Sequence, residues 1–407
     1  MSAREALRRM LKDLPFEARQ VGETAWRIVP RSVARQAPTN QVRLARPEQA
    51  PETVDPIGIV VSANKFPNEL GDIPRSIGLI LPDGLQQVSA DSGTAAMTRD
   101  LQGISVAGGG AGRNQIFLRG VADSPFAGLN QATVAVLIDG VRMTYSAPDP
   151  DLRLVDVKRA ELLKGPQGSL YGLGVLGGIY QVVTNSPDAS SASASIGLGL
   201  SQVTGGSLGQ NGAAVVNLPL VPEVMALRLV GYGSHAGGWV HTGARRDANG
   251  LDIYGGRLAL GLKLGPDWRL DAKGAAQKLK SADSQYVYVA GSRSRPDQIP
   301  EPSVNQFEHA ALQLNGTMGG VDIVALSGHT WQRTSEQLDA TVGAGSFGLD
   351  DPAKYIDTRN YKVWDSELRF SGTWKSIDFL GGISHVEARR VMDRHLYAID
   401  PATSVEI

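Results

Sequence analysis

Three glycines, Gly172, Gly174 and Gly177, spell G-x-G-x-x-G inside GPQGSLYGLGVLGGIYQVVTN, residues 165–185. After a strand and before a helix, such a triplet lets backbone N–H groups and the helix N-terminus hold a pyrophosphate. That chemistry requires a helix after the last glycine and an acid about twenty residues on. Here Gly177 is followed by GIYQVVTNSP, a β-branched run ended by Pro187, and Asp188 comes too early for a ribose contact. Neither this run nor GGGAGRNQ (108–115) leads into a Gly-Lys-Ser/Thr triplet, so the phosphate loop is excluded as well. The six histidines (235, 241, 309, 329, 385 and 395) are far apart and form no HExxH pair, and there is no cysteine. The residues assemble no catalytic set, and no enzyme activity, cofactor or metal is expected. Glycine has another use: it lets backbones approach closely and turn sharply in a confined volume.

The elements around these glycines are short and β-prone. The chain has 407 residues, with 48 Gly and 22 Pro, and 40 basic against 41 acidic side chains. That balance gives no electrostatic case for nucleic acid. No apolar run reaches the length of a membrane-spanning helix. The N-terminus, MSAREALRRMLKDLP, is amphipathic and lacks the apolar core of a signal peptide, so an exported protein would have its leader outside this sequence. Ala6, Leu7, Met10, Leu11 and Leu14 predict a helix stopped by Pro15, and FEARQVGETAWRIVP predicts two short strands about Gly22. Residues 1–30 thus read as a small α/β piece, and the proline-rich residues 31–56 as a linker. IGIVVSANK (57–65) can add a strand to a partner's sheet or begin the next domain. In 66–190, NQIFLRGV, TVAVLIDGVRM and GGIYQVVTN are strand-like, while VDVKRAELLKG reads as helix or strand.

From residue 191 the pattern changes to period two. Ala192, Ala194, Ile196, Leu198 and Leu200 alternate with Ser and Gly, and Leu258, Leu260, Leu262 and Leu264 alternate with Arg257, Ala259, Gly261 and Lys263. Trp268, Leu270 and Ala272 alternate with Arg269, Asp271 and Lys273; LQLNGTM and WDSELRF continue the series. One apolar face and one charged or small face recur, as in a transmembrane β-barrel or a soluble antiparallel barrel or sandwich. Alternating tight breaks (LGPDW, GTWKSID) and long polar ones (HTGARRDANGLD) favour the outer-membrane form.

The order ISVAGGGAGRNQIFLRGV, then VAVLIDGV, then VKRAELLKGPQGSLYGLGVLGGIYQVVTNSP resembles the plug domain of TonB-dependent outer-membrane receptors. IGIVVSANK is similar to the TonB box and first plug segment, and REALRRMLKDLPFEARQVGETAWRIVPR to the latter part of the secretin/TonB short N-terminal domain. The fold this implies is mainly β: residues 1–30 a partial N-terminal domain, 31–56 a linker, 57–190 an α+β plug, and 191–407 antiparallel transmembrane barrel strands. At about 20–25 residues per strand with its loop, 191–407 hold roughly eight to ten of the about 22 strands such barrels use, so the barrel is expected to be incomplete.

The resemblance implies uptake of a scarce ligand such as a ferric siderophore across the bacterial outer membrane. It implies partnership with TonB and outer-membrane lipids, and signalling to an anti-sigma regulator through the N-terminal piece; a non-transporting remnant, or a plug-based signalling or binding protein, is the alternative. The TonB box would be Ile57, Gly58, Ile59, Val60 and Val61. Structural or gating roles in the plug would fall to Arg119, Gly120, Asp139, Gly140, Arg159, Glu161, Lys164, Gly165, Pro166, Gly172, Gly177 and Gly178. Each charge among these, if buried, must be paired. Arg113, Asn114 and Phe126 would face the ligand by position. Lys164 stands where the family usually has an arginine that ties plug to barrel carboxylates; a lysine offers a point charge instead of a planar fork. Tyr180 also departs from the family's pattern.

Overall fold

The structure is a computed structural model. It describes residues 16–20, 26–30, 60–61, 65, 68–69, 76–81, 89–90, 92–96, 101–121, 132–167, 171, 175–243, 245–296, 299–349 and 352–399. The chain divides into two compact units, Met1–Ile57 and Gly58–Ile407. In the first, β1 (Phe16–Gln20) and β2 (Trp26–Pro30) form an antiparallel pair, as FEARQVGETAWRIVP predicts. The helix expected over residues 4–14 lies outside the described residues.

The second unit holds an inner domain and a wall. Its inner strands are β3 (Val60–Val61), β4 (Asn68–Glu69), β5 (Ile77–Ile80), β6 (Ile104–Gly108), β7 (Asn114–Leu118), β8 (Val134–Ile138), β9 (Val141–Arg142), β10 (Val157–Lys164) and β11 (Gly178–Thr184). Five of them form a sheet in the order β5-β10-β11-β8-β9, with β11 and β8 parallel and the other pairs antiparallel. β8 is buried along its whole length, which is why VAVLI reads as continuous rather than alternating. Residues 157–164, open to either reading in the sequence, are a strand because β5 and β11 pair along both edges.

The loop glycines have specific geometric reasons. Asp139 (φ 49°) and Gly140 (φ 89°) form a two-residue turn closing the Ile138–Val141 pair, the type I′ geometry for which Asp-Gly is preferred. Gly178 has φ 139°, and a Cβ there would lie 2.1 Å from the Leu163 carbonyl oxygen. No other residue type fits that position without moving the β10–β11 ladder.

The wall is one antiparallel sheet of nine strands: β12 (Ser193–Gln202), β13 (Leu208–Val221), β14 (Met225–Ala236), β16 (Leu251–Lys263), β17 (Trp268–Ser281), β19 (Ser303–Met318), β20 (Val321–Asp339), β21 (Ala353–Trp374) and β22 (Ile377–Ala398). Two short strands, β15 (His241–Thr242) and β18 (Ser294–Arg295), pair in parallel and join two of its loops. Tight breaks at 222–224, 264–267, 319–320 and 375–376 lie at one rim. The longer connections 237–250, 282–302 and 340–352 lie at the other. The sheet is barrel-like and open, with β12 and β22 as its edges.

The period-two pattern is inverted relative to a soluble sandwich. Ile196, Leu198, Leu200, Leu258, Leu312 and Ile383 are exposed, whereas Arg257, Gln277, Asn305, His309 and Gln332 are buried against the inner domain. An apolar outer face and a polar inner one is the transmembrane-barrel arrangement. The inner domain docks partly through apolar contact: wall residues Ala275 and Phe307 join a core with Leu118, Val136, Ile138 and Tyr180. Val155 packs with Val215, Val230 and Tyr232.

Candidate functional site

Of the residues singled out above, Asp139, Gly140 and Arg159 lie on the seam between inner domain and wall. At the tip of the β8–β9 hairpin, the Asp139 carboxylate accepts hydrogen bonds from Thr184 N (2.8 Å) and Thr184 Oγ1 (2.6 Å), and Lys273 Nζ from wall strand β17 stands 3.0 Å away. Burial alone would raise the Asp139 pKa; Lys273 and the Thr184 hydrogen bonds outweigh it, so the group titrates below the usual carboxylate range. On β10, Arg159 and Glu161 form an ion pair at 2.5 Å, with Glu161 fully buried. Their i, i+2 spacing on a strand puts both on one face.

Gly165 N donates to Gly177 O (2.9 Å), which brings the two ends of the glycine-dense loop together, and Pro166 sits exposed beside it. Gly172, Phe126 and Ile57–Ile59 lie outside the described residues. Val60–Val61 pair antiparallel with Asn68–Glu69. Arg119 and Gly120 form a second turn, bridged by Leu118 and Val121, and there Arg119 is exposed and solvated rather than buried. Lys164 is half-buried, and among the described residues no wall carboxylate pairs with it.

Ties of the kind expected at Lys164 are made elsewhere. Lys65 Nζ bonds Glu367 of β21 and sits 4.5 Å over the Tyr171 ring. Burial lowers the Lys65 pKa, and Glu367 only partly restores it. Arg228 of β14 grips Asp156 with a fork, Nε to Oδ2 at 2.7 Å and Nη2 to Oδ1 at 2.6 Å. The Arg142 backbone N–H donates to Asp365 Oδ2 (2.9 Å), and Gln277 Nε2 donates to Pro150 O (2.9 Å). These partners were not legible in the sequence, because each pair joins distant segments.

Of the residues proposed to face ligand, Arg113 and Asn114 lie toward the rim of the long loops. Arg113 pairs with Glu336 of β20 (2.6 Å) and donates to Ser284 Oγ (3.3 Å). Asn114 Oδ1 accepts from Gly110 N (3.3 Å), shaping the glycine loop. Among the described residues no group of three or more His, Asp or Glu is placed to hold a metal ion. No described helix is long and apolar enough to cross a membrane, which says nothing of strands.

A family model for the TonB-dependent receptor plug domain matches residues 69–179, the inner domain whose hairpins and ion pairs make this seam. The chain carries a TonB-dependent receptor plug domain. Residues of the vitamin B12 transporter BtuB of Vibrio vulnificus are 32% identical over 147 residues, 35% of this chain and 23% of that protein. The ferric yersiniabactin uptake receptor FyuA of Yersinia pestis shares the fold with TM-score 0.66 and 18% identity, covering 79% of this chain and 50% of that one. FpvA of P. aeruginosa, bound to pyoverdine with iron, superposes with TM-score 0.64 and 16% identity over 98% of this chain and 51% of that one. The chain thus spans about half the length of FyuA and FpvA, and the match to BtuB covers less than a quarter of that protein. The inner domain is the plug, and the nine-stranded sheet corresponds to barrel wall.

Proposed function

We propose that this plug and wall belong to an outer-membrane receptor that takes up a ferric siderophore, with TonB supplying the work. A plug that fills a barrel lumen blocks leakage, so cargo passes only when the plug is remodelled by force from outside the membrane. The observation that carries the reading is the position of Lys65. It follows the segment Ile57–Val61 closely in sequence, and its ammonium bonds Glu367 on the wall. A partner that adds a strand to residues 57–61 and pulls would load this plug–wall contact early. The likeness to receptors of ferric yersiniabactin and iron-bound pyoverdine supports a ferric chelate as cargo.

The match to FpvA covers 98% of the chain and so reaches into residues 1–57, which supports a role for the N-terminal unit. That role is signalling to an anti-sigma regulator. The test is growth of an iron-starved strain lacking the full-length gene on a panel of ferric chelates, with and without TonB, alongside a transcriptional reporter. Restored growth on one chelate, dependent on TonB and on Lys65, supports uptake. A reporter response without growth on any chelate supports plug-based signalling and overturns transport.

A further inference from the structure

At the rim of the tight turns, plug and wall leave a cavity of about 370 Å³ between them. That is within the size range of small-molecule sites. Toward the rim it shares Arg269, Asn315 and Arg369 with a second cavity lined by Trp268. Inward it shares Asp139 and Lys273 with a smaller one lined by Ala275 and His309. In outer-membrane barrels the short turns are periplasmic, so the cavity is a periplasmic vestibule.

Its lining is cationic. Lys65, Lys158, Arg159, Arg269, Lys273 and Arg369 all face it. Three carboxylates share the lining, and Glu161 lies behind Arg159. Six cationic groups against four carboxylates leave a surplus of two. Lys158 is exposed at the edge. Arg369 donates Nη1 to Glu367 (2.8 Å), but its Nε is buried without a hydrogen bond. An unmet guanidinium donor beside surplus positive charge, between two low-dielectric walls, attracts and concentrates anions.

We infer that this vestibule is a binding site for a small polycarboxylate anion, free or as its ferric chelate, on the periplasmic face of the plug. Its part in transit rests on the receptor reading above; its charge preference does not. Cationic solutes would be repelled, so the exit selects by charge.

The chain has no cysteine, so one introduced thiol reports the local potential. In the full-length protein in detergent, Ser186→Cys places a near-isosteric thiol on the cavity lining; Val183→Cys serves if that variant fails to fold. Modification rates are taken for 2-sulfonatoethyl and 2-(trimethylammonium)ethyl methanethiosulfonate, each normalised to 2-mercaptoethanol. The anionic reagent should be favoured by about tenfold. Lys158→Gln should cut the preference about threefold, and about 1 M salt should nearly abolish it. Citrate should slow modification, and glycerol at equal concentration should not. Protection by ferric citrate alone assigns the site to chelate in transit, and equal protection by metal-free citrate assigns it to the free anion. A ratio at or below one, or a ratio unmoved by Lys158→Gln, overturns the inference. Uptake is not read in this assay, so failure here leaves the receptor reading standing, and loss of uptake leaves the ratio interpretable.

Discussion

Lys273, on the wall, and Asp139, at the tip of a plug hairpin, meet at 3.0 Å, and the same carboxylate holds both the N–H and the hydroxyl of Thr184. One side chain therefore ties a turn, the end of β11 and the barrel wall together. Lys273→Met removes the partner of a buried carboxylate and should cost about 1–3 kcal/mol. Adding Asp139→Asn should recover part of that loss. Urea unfolding of the four variants of this cycle checks it; strictly additive losses would show that the two residues do not interact.

The fork between Arg228 and Asp156 depends on planarity. Arg228→Lys keeps the charge but replaces two aligned N–H donors with a point charge. The expected loss is about 1 kcal/mol, read as a lower thermal midpoint, with Arg228→Ala costing more. Equal stability of the lysine variant and the parent would show that charge alone holds this contact.

Two plug carboxylates give opposite pH dependences. Asp139 titrates below its ordinary value of 3.8, so the stability it contributes is full above that value and is lost as pH falls through the folded-state pKa. Asp149 is raised to about 7, first by burial and then by the neighbouring Asp151. Between 3.8 and about 7 the folded plug holds a proton the unfolded chain has released, so stability declines as pH rises across that interval. Melting of the plug should be highest near pH 4, fall as pH rises to about 7, and level off above that. Asp149→Asn should flatten the alkaline limb; an unchanged limb would assign the effect to another group.

Gly178→Ala drives a methyl to within 2.1 Å of the Leu163 carbonyl at a positive φ, so the β10–β11 pairing should break. At Gly177 the nearest atoms to a Cβ are 3.1 and 3.2 Å away. Gly177→Ala should therefore be far milder. The yield of protease-resistant plug separates the two, and equal yields would contradict the geometry.

The wall was legible because lipid and lumen impose opposite demands on alternate residues: Leu258 faces out and Arg257 faces in, one residue apart. The plug was legible through the family resemblance its ordered segments carry; the reversals at Arg119-Gly120 and Asp139-Gly140, each with positive φ, fall inside runs that read as strand. Lys65, Arg228 and Lys273 were not, because their partners come from distant segments and no local pattern signals a lumenal ion pair. Arg119 sits in a turn with the same backbone as that of Asp139, but its side chain is exposed where that of Asp139 is buried against Lys273. Tyr180, odd against the family's pattern, is buried in the core shared by plug and wall.

The most direct measurement asks whether the plug sits against the wall as described. A Cβ built on Gly328 of β20 lies 3.3 Å from the Val141 Cβ of the plug, close to the spacing a disulfide requires. In the otherwise cysteine-free protein, Val141→Cys with Gly328→Cys should oxidise to a single intramolecular crosslink in outer-membrane vesicles, with a mobility shift reversed by reductant. Two cysteines that stay reduced and both react freely with a small maleimide would contradict a plug seated in a barrel wall.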